Sequence, residues 1–515
     1  MKTKQRWLTL LVCSCMLATL VGCGGSPKSG GDDSSVSSSS SSGDTSTPDS
    51  SELSNLGSNA ESSDTSDVSS DAGTTNSNSN TSSGSKPNSN TSSNSPVSSN
   101  APSNNSGSPS SGSSKTLPVK NMGGRTFTFC APSWEIIDLE ESWVKALQSK
   151  YNCKFKNLQL ADYSTLYSSI LAGDPLADVI TMGDSNFYQY VQKKLLRSLS
   201  ASQYIDVDDS SLYVTGLNDI FTVSGKAYGV SRDGYAVRRL LAYNKSLITG
   251  SNDLQTLADA GKLTWDKLYE ILTKVSKSGV AGIAGQMYEC DVLEAFIVAN
   301  GGRIFKRDSG LNFTYTLDSQ NTRNAISFVQ KLYSSGCIMP MNGGNYLYPQ
   351  SQFAKGKVAM MLVDGWNLGD IYKKAKFDVG IVMLPAGGNA SSPLVEQTVY
   401  ECYSIPATVE NPEDVELIFA AWVKAADANG EGKNYFLDEW KDVMDDPKNL
   451  KVLEKYISIV DSGKAVVDYK NTVTNFYNDG LYDYQQKALF GELSAQSYLE
   501  AVGTVYKSKA ADFGS

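Results

Sequence analysis

Hydrophobic residues divide the chain into three parts. An apolar run of about 15 residues, Trp7–Val21, follows a basic segment at residues 2–6, and that length is short for a membrane span but typical of a signal-peptide core. From residue 24 to about residue 114, large apolar side chains are almost absent. From about residue 124 onward, apolar residues recur with regular spacing, so the pattern predicts one large folded body.

The body alternates between two kinds of hydrophobic period. Short alternating or continuous apolar runs predict strands, and apolar residues spaced three and four apart predict helices. The predicted strands are 125–130, 153–160 and 178–182, and the predicted helices are 138–151, 163–172, 187–196, 264–279, 321–335 and one that begins at Asn411-Pro412. Alternation of strand and helix is typical of a largely parallel sheet with helices on both faces. About 390 residues exceed one hydrophobic core, so the fold class predicted is α/β with two lobes.

The leader ends in Leu20-Val21-Gly22-Cys23. This sequence resembles the lipobox of bacterial lipoproteins, and the resemblance implies that residues 1–22 are a signal peptide and that Cys23 carries the lipid. Residues 23–115 are rich in Ser, Asn and Thr and cannot bury enough apolar surface to offset the entropy of ordering, so they are predicted to be a disordered linker. A flexible coil of about 90 residues has a root-mean-square span of roughly 50–55 Å.

Composition excludes several classes of function. With Lys+Arg 45 against Asp+Glu 55 and a formal net charge of -10, the chain lacks the basic surface that nucleic acid requires. The chain contains no histidine, so a His-dependent nucleophile and a His-ligated zinc are both excluded. No phosphate-binding G-x-x-x-x-G-K-[ST] motif occurs, and no cofactor or metal is predicted.

The five cysteines of the body have no CxxC pair and no spacing typical of a metal site. They are Cys130, Cys153, Cys290, Cys337 and Cys402. We predict that they are small buried apolar side chains. A disulfide between two of them stays open, because an exported chain meets oxidising conditions and spacing alone assigns no pair.

Several segments of the body, taken in order, match a known pattern. They are Gly173–Ile180 (GDPLADVI), Gly225–Val230 (GKAYGV), Leu241–Leu247 (LAYNKSL), Leu263–Leu268 (LTWDKL), Phe353–Met361 (FAKGKVAMM) followed by Asp364–Trp366 (DGW), and Asp378–Pro385 (DVGIVMLP). Together they resemble the extracellular solute-binding proteins of ABC importers, in the sugar-binding family that includes maltose-binding protein. Val230 and Leu263 stand where relatives have proline, a departure that bears on the ligand class more than on the fold.

The resemblance implies a two-lobed fold with a hinge and an inter-lobe cleft that closes on its ligand. The solute-binding domain would span 116–515, with lobe 1 at about 124–236 and 364–400 and lobe 2 at about 244–360 and 404–515. The chain would cross between lobes at about Tyr235–Asn244, Met361–Gly365 and Tyr400–Ile405.

Candidate ligand-binding residues lie where strands end or where the chain crosses. Ligands of open α/β sheets bind beyond the carboxyl ends of the strands, which selects Trp134, Glu135, Asp184, Asn186, Tyr288 and Glu289. The crossings implied by the resemblance add Arg232, Asp233, Tyr235, Trp366, Asn367, Tyr400 and Glu401. Aromatic rings can cover the apolar face of a sugar and planar polar groups can bind its hydroxyls, so this set suits a carbohydrate.

The function expected is a substrate-binding lipoprotein, without enzymatic activity, that captures a sugar or oligosaccharide by hinge closure and delivers it to a membrane permease. Its partners would be the ABC permease subunits with a separate ATPase, and the membrane through the lipid anchor. The protein would act as a monomer, with no nucleic-acid partner, on the outer face of a cell membrane of Gram-positive type.

Two alternatives stay open from the sequence. The same fold could bind a peptide, an anion or another small metabolite, because Arg232 at a crossing suits a carboxylate or phosphate. An anchored glycoside hydrolase would need two carboxylates that flank one cleft, and the sequence identifies no such pair.

Overall fold

The computed structural model describes residues 116–132, 136–159, 163–232, 237–341, 345–387, 394–397, 402–475 and 478–514. The leader, Cys23 and the linker lie outside these residues, so the lipid anchor and the linker stay predictions. Within the described part of the chain, no helix combines the length and the apolar character needed to cross a membrane.

The strands are short, and most of them are largely buried. In chain order they are β1 (Thr126–Ala131), β2 (Lys154–Gln159), β3 (Val179–Met182), β4 (Thr222–Val223), β5 (Lys226–Ala227), β6 (Leu240–Asn244), β7 (Ala281–Ala284), β8 (Phe305–Arg307), β9 (Phe313–Tyr315), β10 (Val358–Val363), β11 (Val379–Met383), β12 (Glu396–Gln397), β13 (Cys402–Ser404) and β14 (Val466–Val467).

Helices occupy most of the remaining described chain. They are α1 (Ser142–Tyr151), α2 (Tyr163–Leu171), α3 (Asp184–Gln192), α4 (Asn218–Phe221), α5 (Leu254–Asp259), α6 (Trp265–Ser276), α7 (Asp291–Ala299), α8 (Gln320–Ser334), α9 (Tyr348–Ala354), α10 (Gly365–Lys374), α11 (Pro412–Ala428), α12 (Tyr435–Val443), α13 (Pro447–Asp461), α14 (Lys470–Val473), α15 (Leu481–Leu489) and α16 (Ala495–Gly514).

The first sheet has the strand order β13-β3-β1-β2. β1 runs parallel to β2 and to β3, and β13 lies antiparallel beside β3 with Cys402 opposite Met182. The predicted strands β1, β2 and β3 are therefore confirmed. Because β13 runs in the opposite direction, its first residue lies at the same edge as the carboxyl ends of β1 and β3.

The second sheet has the order β11-β6-β10-β7. β7 is parallel to β10, whereas β6 is antiparallel to both β10 and β11. Val363 and Met383 both lie opposite Leu240. One edge of this sheet therefore holds the start of β6 and the carboxyl ends of β7, β10 and β11. A ligand of an α/β sheet is expected at that edge.

Helix α6 forms where the apolar period and a cap coincide. Thr264 precedes it, and its hydroxyl accepts a hydrogen bond from the backbone N–H of Lys267 at 3.2 Å, which satisfies one of the unpaired N–H groups of the first turn. Its buried residues are Leu268, Ile271, Leu272 and Val275, as the spacing predicts. Gly279 then turns the chain with φ 83°.

Helices α1 and α3 have different bounds from those predicted. α1 begins at Ser142 rather than at Asp138, because the Asp138 carboxylate accepts the backbone N–H of Glu140 at 2.9 Å and forms a turn before the helix. α3 spans Asp184–Gln192 rather than 187–196. It ends early because Lys194 takes φ 59°, after which Leu196 bridges to Pro406.

The predicted division of the chain between lobes is wrong in two places. β11, expected in lobe 1, pairs with β6 of the second sheet. α11, expected in lobe 2, packs against α1 beside the first sheet. The chain also does not cross at 361–365, since β10 and β11 belong to the same sheet. The described chain instead crosses between 231 and 240, between 383 and 402, and between α11 and α12.

Two hydrophobic cores support these sheets. One lies between the first sheet, α1 and α11 and includes Phe129, Phe155 and Trp422. The larger one surrounds the second sheet and continues onto the other face of the first sheet through Cys130, Ile180 and Met182. The five cysteines of the body are buried and unpaired with one another, which confirms their prediction as apolar core residues.

Candidate functional site

The first sheet contributes one edge of the candidate site. Trp134 and Glu135 follow β1, but both lie outside the described residues. Asp184 is the first residue of α3, directly after β3. Asn186 lies one residue further in, is half-buried, and donates from Nδ2 to the Ser185 hydroxyl at 3.2 Å. The helix is preceded by Gly183, so Asn186 does not cap it.

Tyr400 and Glu401 also lie outside the described residues. The next residue, Cys402, begins β13 opposite Met182 at the end of β3. The backbone therefore enters the first sheet at the edge where β3 ends. Asp233 and Tyr235 are likewise outside the described residues, between Arg232 and Val237.

The second sheet contributes Trp366 and Asn367 in the first turn of α10, directly after β10. The Asp364 side chain accepts the backbone N–H of Asn367, and Asn367 Oδ1 accepts the backbone N–H of Asp364 at 3.0 Å. This reciprocal capping box explains why the helix begins here. Asn367 is buried and its oxygen is used by the cap, whereas Trp366 is half-buried.

Tyr288 and Glu289 lie in the loop after β7, at the same edge. The Asp291 carboxylate folds this loop by accepting the backbone N–H groups of Met287 at 2.7 Å and Tyr288 at 2.8 Å. Both candidates are half-buried. The Glu289 carboxylate accepts the backbone N–H of Met341, and the Tyr288 ring contacts the Tyr482 ring edge to face at 5.7 Å.

Arg232 lies at the first crossing and is held by protein groups. Its guanidinium donates to the backbone carbonyl of Glu431, and it lies 4.4 Å from the centre of the Trp422 ring. It is only 6% exposed, so it is not a surface residue. This contact joins the first crossing to the third crossing, between α11 and α12.

A buried charged cluster at the second-sheet edge was not predicted. It consists of Arg238, Arg239, Glu294, Asp364 and Glu396. Arg239 pairs with Glu294 at 3.0 Å and with Glu396 at 2.5 Å. Its backbone N–H donates to Asp364 Oδ1 at 2.8 Å. The sequence signal was the pair Arg238-Arg239 immediately before the fully buried strand β6.

The pKa values of this region follow from burial and neighbouring charge. Burial raises the pKa of the Glu294 carboxyl, but Arg239 and Lys470 lower it more, so the net pKa lies well below its usual value. Burial raises the pKa of Asp468 to about 6, although the Ile304 N–H and the Lys470 charge oppose that shift. Glu294 is therefore an ionised structural partner, whereas Asp468 titrates near neutral pH.

No group of three or more acidic or cysteine side chains within the described residues is arranged to hold a metal ion. The described candidate residues lie at strand ends and at the first crossing, and they include aromatic, amide and carboxylate side chains. Such groups suit recognition of a polar solute by hydrogen bonds and ring contacts.

Comparison with known proteins identifies both a family and a fold. The family model described as bacterial extracellular solute-binding protein matches residues 138–430. A structure of the GacH receptor of Streptomyces glaucescens, solved unliganded and in complex with acarbose and an acarbose homolog, is similar at 18% identity. The similarity covers 76% of this chain and 99% of that chain with a TM-score of 0.53. No curated protein matches the sequence significantly.

Proposed function

The chain belongs to the bacterial extracellular solute-binding proteins, and on that premise we propose that it is the sugar-binding receptor of an ABC importer. It captures a sugar or oligosaccharide between the facing edges of its two sheets and delivers it to a membrane permease driven by a separate ATPase. The sugar leaves unchanged, since the role is binding and not catalysis.

The observation that supports this proposal most is the family match, which spans parts of both sheets and two of the crossings. Facing edges joined by several crossings are the arrangement that lets two lobes close on a ligand by hinge bending. The GacH receptor, which has a similar fold, was solved with acarbose and compared with acarbose-loaded maltose binding protein.

The chemistry of the candidate residues also supports a sugar. Trp366 and Tyr288 supply rings that can cover apolar sugar faces, and Asn186 and Glu289 supply groups that can bind hydroxyls. An anionic or peptide ligand has less support. Arg232, the residue that would favour it, is only 6% exposed and lies against the Trp422 ring.

The anchor completes the proposal. Cys23 carries lipid and the Ser-rich segment 23–115 joins it to the body, so the receptor stays near its permease on the outer face of the membrane.

A thermal-shift screen of the purified full chain tests the ligand class. The panel holds mono- and oligosaccharides together with amino acids, short peptides, phosphate and citrate. We expect a saccharide to raise the melting temperature by about 5 °C or more, because a ligand at a hundred times its dissociation constant stabilises the folded state by about 2.7 kcal/mol. A shift with peptides or anions but with no saccharide would overturn the sugar assignment.

A further inference from the structure

We propose that Arg239, Glu396 and Tyr456 form a buried clasp that joins the first and second crossings, so that the two crossings open as one unit. The proposal concerns the hinge and holds for any ligand. The residues act by positioning the crossings and need not touch the solute.

Two of the clasp residues lie on crossings, and the third lies on a helix. Arg239 is the last residue before β6, where the first crossing enters the second sheet. Glu396 lies in β12, within the second crossing from β11 back to β13. Tyr456 lies on α13, a helix that packs against β11. Residues of both crossings therefore meet one helix.

Charge makes the first link of the clasp. The Arg239 guanidinium pairs with Glu396 at 2.5 Å, across the two crossings, and with Glu294 of α7 at 3.0 Å. Arg239 is 8% exposed and Glu396 is 5% exposed. Separating them would leave a buried charge without its partner, which is strongly unfavourable.

The Tyr456 hydroxyl makes the second link. It accepts the backbone N–H of Arg238 at 2.9 Å and the side-chain amide of Gln397 at 3.0 Å, and it donates to the backbone carbonyl of Glu396. A hydroxyl offers one donor and two acceptor sites, and all are used here. One buried oxygen thus bonds the main chain of both crossings.

Neighbouring contacts fix the clasp to the second lobe. Asp364, at the end of β10, accepts the backbone N–H of Arg239 at 2.8 Å. β12 pairs in parallel with β14, with Glu396 opposite Val466. Neither crossing can move at this point without breaking bonds to the other, so the geometry predicts a single opening unit.

Native-state hydrogen exchange of the full, ligand-free chain tests the coupling. Exchange is followed by mass spectrometry at increasing urea, on peptides covering Val237–Leu241 and Val395–Gln397. In the wild type we expect both peptides to exchange through one opening, with the same free energy and the same urea dependence.

The test variant is Tyr456→Phe, which removes the shared oxygen and keeps the ring. We expect exchange of at least one crossing peptide to accelerate about tenfold or more, and the two peptides to lose their common opening. Gln397→Met breaks one bond of the clasp and serves if Tyr456→Phe does not fold. It should give the same divergence with a smaller change.

Tyr188→Phe is the matched control. Its hydroxyl is buried and donates to the carbonyl of Ile220 in α4 at 2.8 Å. It should lower global stability without making the exchange rates of the two crossing peptides diverge.

The proposal is wrong if the crossings already open independently in the wild type. It is also wrong if Tyr456→Phe and Gln397→Met change both peptides only by the uniform factor seen with Tyr188→Phe. Because no ligand is added, this outcome does not depend on whether the solute is a sugar.

Discussion

Two buried carboxyl groups near the second-sheet edge differ in how burial and neighbouring charges shift their pKa values. Asp468 accepts the backbone N–H groups of Ile304 at 2.7 Å and Lys470 at 3.1 Å, yet burial dominates and raises its pKa. Glu294 faces Arg239 and Lys470 directly and stays ionised. A carboxylate whose pKa is lowered by paired charges and a carboxyl whose pKa is raised by burial thus coexist within one buried region.

Asp468 makes stability depend on pH. Its folded pKa of about 6 lies above the ordinary value of 3.8. At pH values between these two, the folded chain keeps a proton on Asp468 that the unfolded chain has lost. The contribution of Asp468 is therefore full below its ordinary pKa and is lost as pH rises through 6. We expect the free energy of unfolding of the wild type, relative to Asp468→Asn, to fall by about 2 kcal/mol between pH about 4 and 7.

Urea unfolding of both proteins at those pH values measures this difference. The subtraction cancels groups shared by the two proteins, including Asp291, whose pKa burial also raises. A wild-type-minus-variant difference that does not change with pH would show that Asp468 is already ionised in the folded chain.

At the scale of elements, one contact between segments far apart in sequence requires a glycine, Gly216. Gly216 lies in a short 3-10 helix, Thr215–Leu217, that packs on the end of α13. A Cβ on Gly216 would lie 1.9 Å from the carbonyl oxygen of Val460. Because that atom belongs to the backbone, the two segments would have to separate.

Gly216→Ala should therefore destabilise the protein by about 2 kcal/mol or more. Gly369→Ala is the matched control, because Gly369 lies within α10 and a Cβ there would meet nothing within 4 Å. Alanine at that position should raise stability by about 0.5–1 kcal/mol through its better helix propensity. Thermal unfolding of both variants checks the pair, and equal melting temperatures would contradict this account of the packing.

The elements that the sequence predicted well are those with local causes. The apolar runs of β1 and β3 and the capped, periodic pattern of α6 determine structure within a few residues. The bounds of α1 and α3 were less accurate, because they depend on the Asp138 turn and on the φ of Lys194. The pairing of β11 with β6 depends on a partner strand more than a hundred residues away, which no local pattern contains.

The candidate site was predicted in part for the same reason. Strand-end rules place Asn186 and Tyr288 at the edges of the two sheets, and Trp366, chosen from a crossing that the structure does not contain, nevertheless lies at the end of β10. They do not foresee that the Asn367 oxygen caps α10 or that Glu431 and Trp422 hold Arg232. The clasp was missed because charged residues before a strand usually face solvent, and only the folded chain brings Glu396 to Arg239.

At the scale of the whole molecule, the proposal adds a lipid anchor at Cys23 to the solute-binding body. Replacing Cys23 by Ser should abolish metabolic labelling with radioactive palmitate and release the protein into the culture medium, because the lipid is proposed to be its membrane attachment. Cys130→Ser is the control, since Cys130 is buried in the core and should keep the label. Retention of label by Cys23→Ser would place the lipid elsewhere.

The central claim is that the body binds a carbohydrate reversibly and without turnover. Native mass spectrometry of the full chain, incubated with a pooled saccharide library and separately with a peptide library, tests it most directly. The account predicts one saccharide bound per chain, recovered with its mass unchanged after release. A bound peptide with no saccharide adduct, or a saccharide recovered in cleaved form, would contradict it.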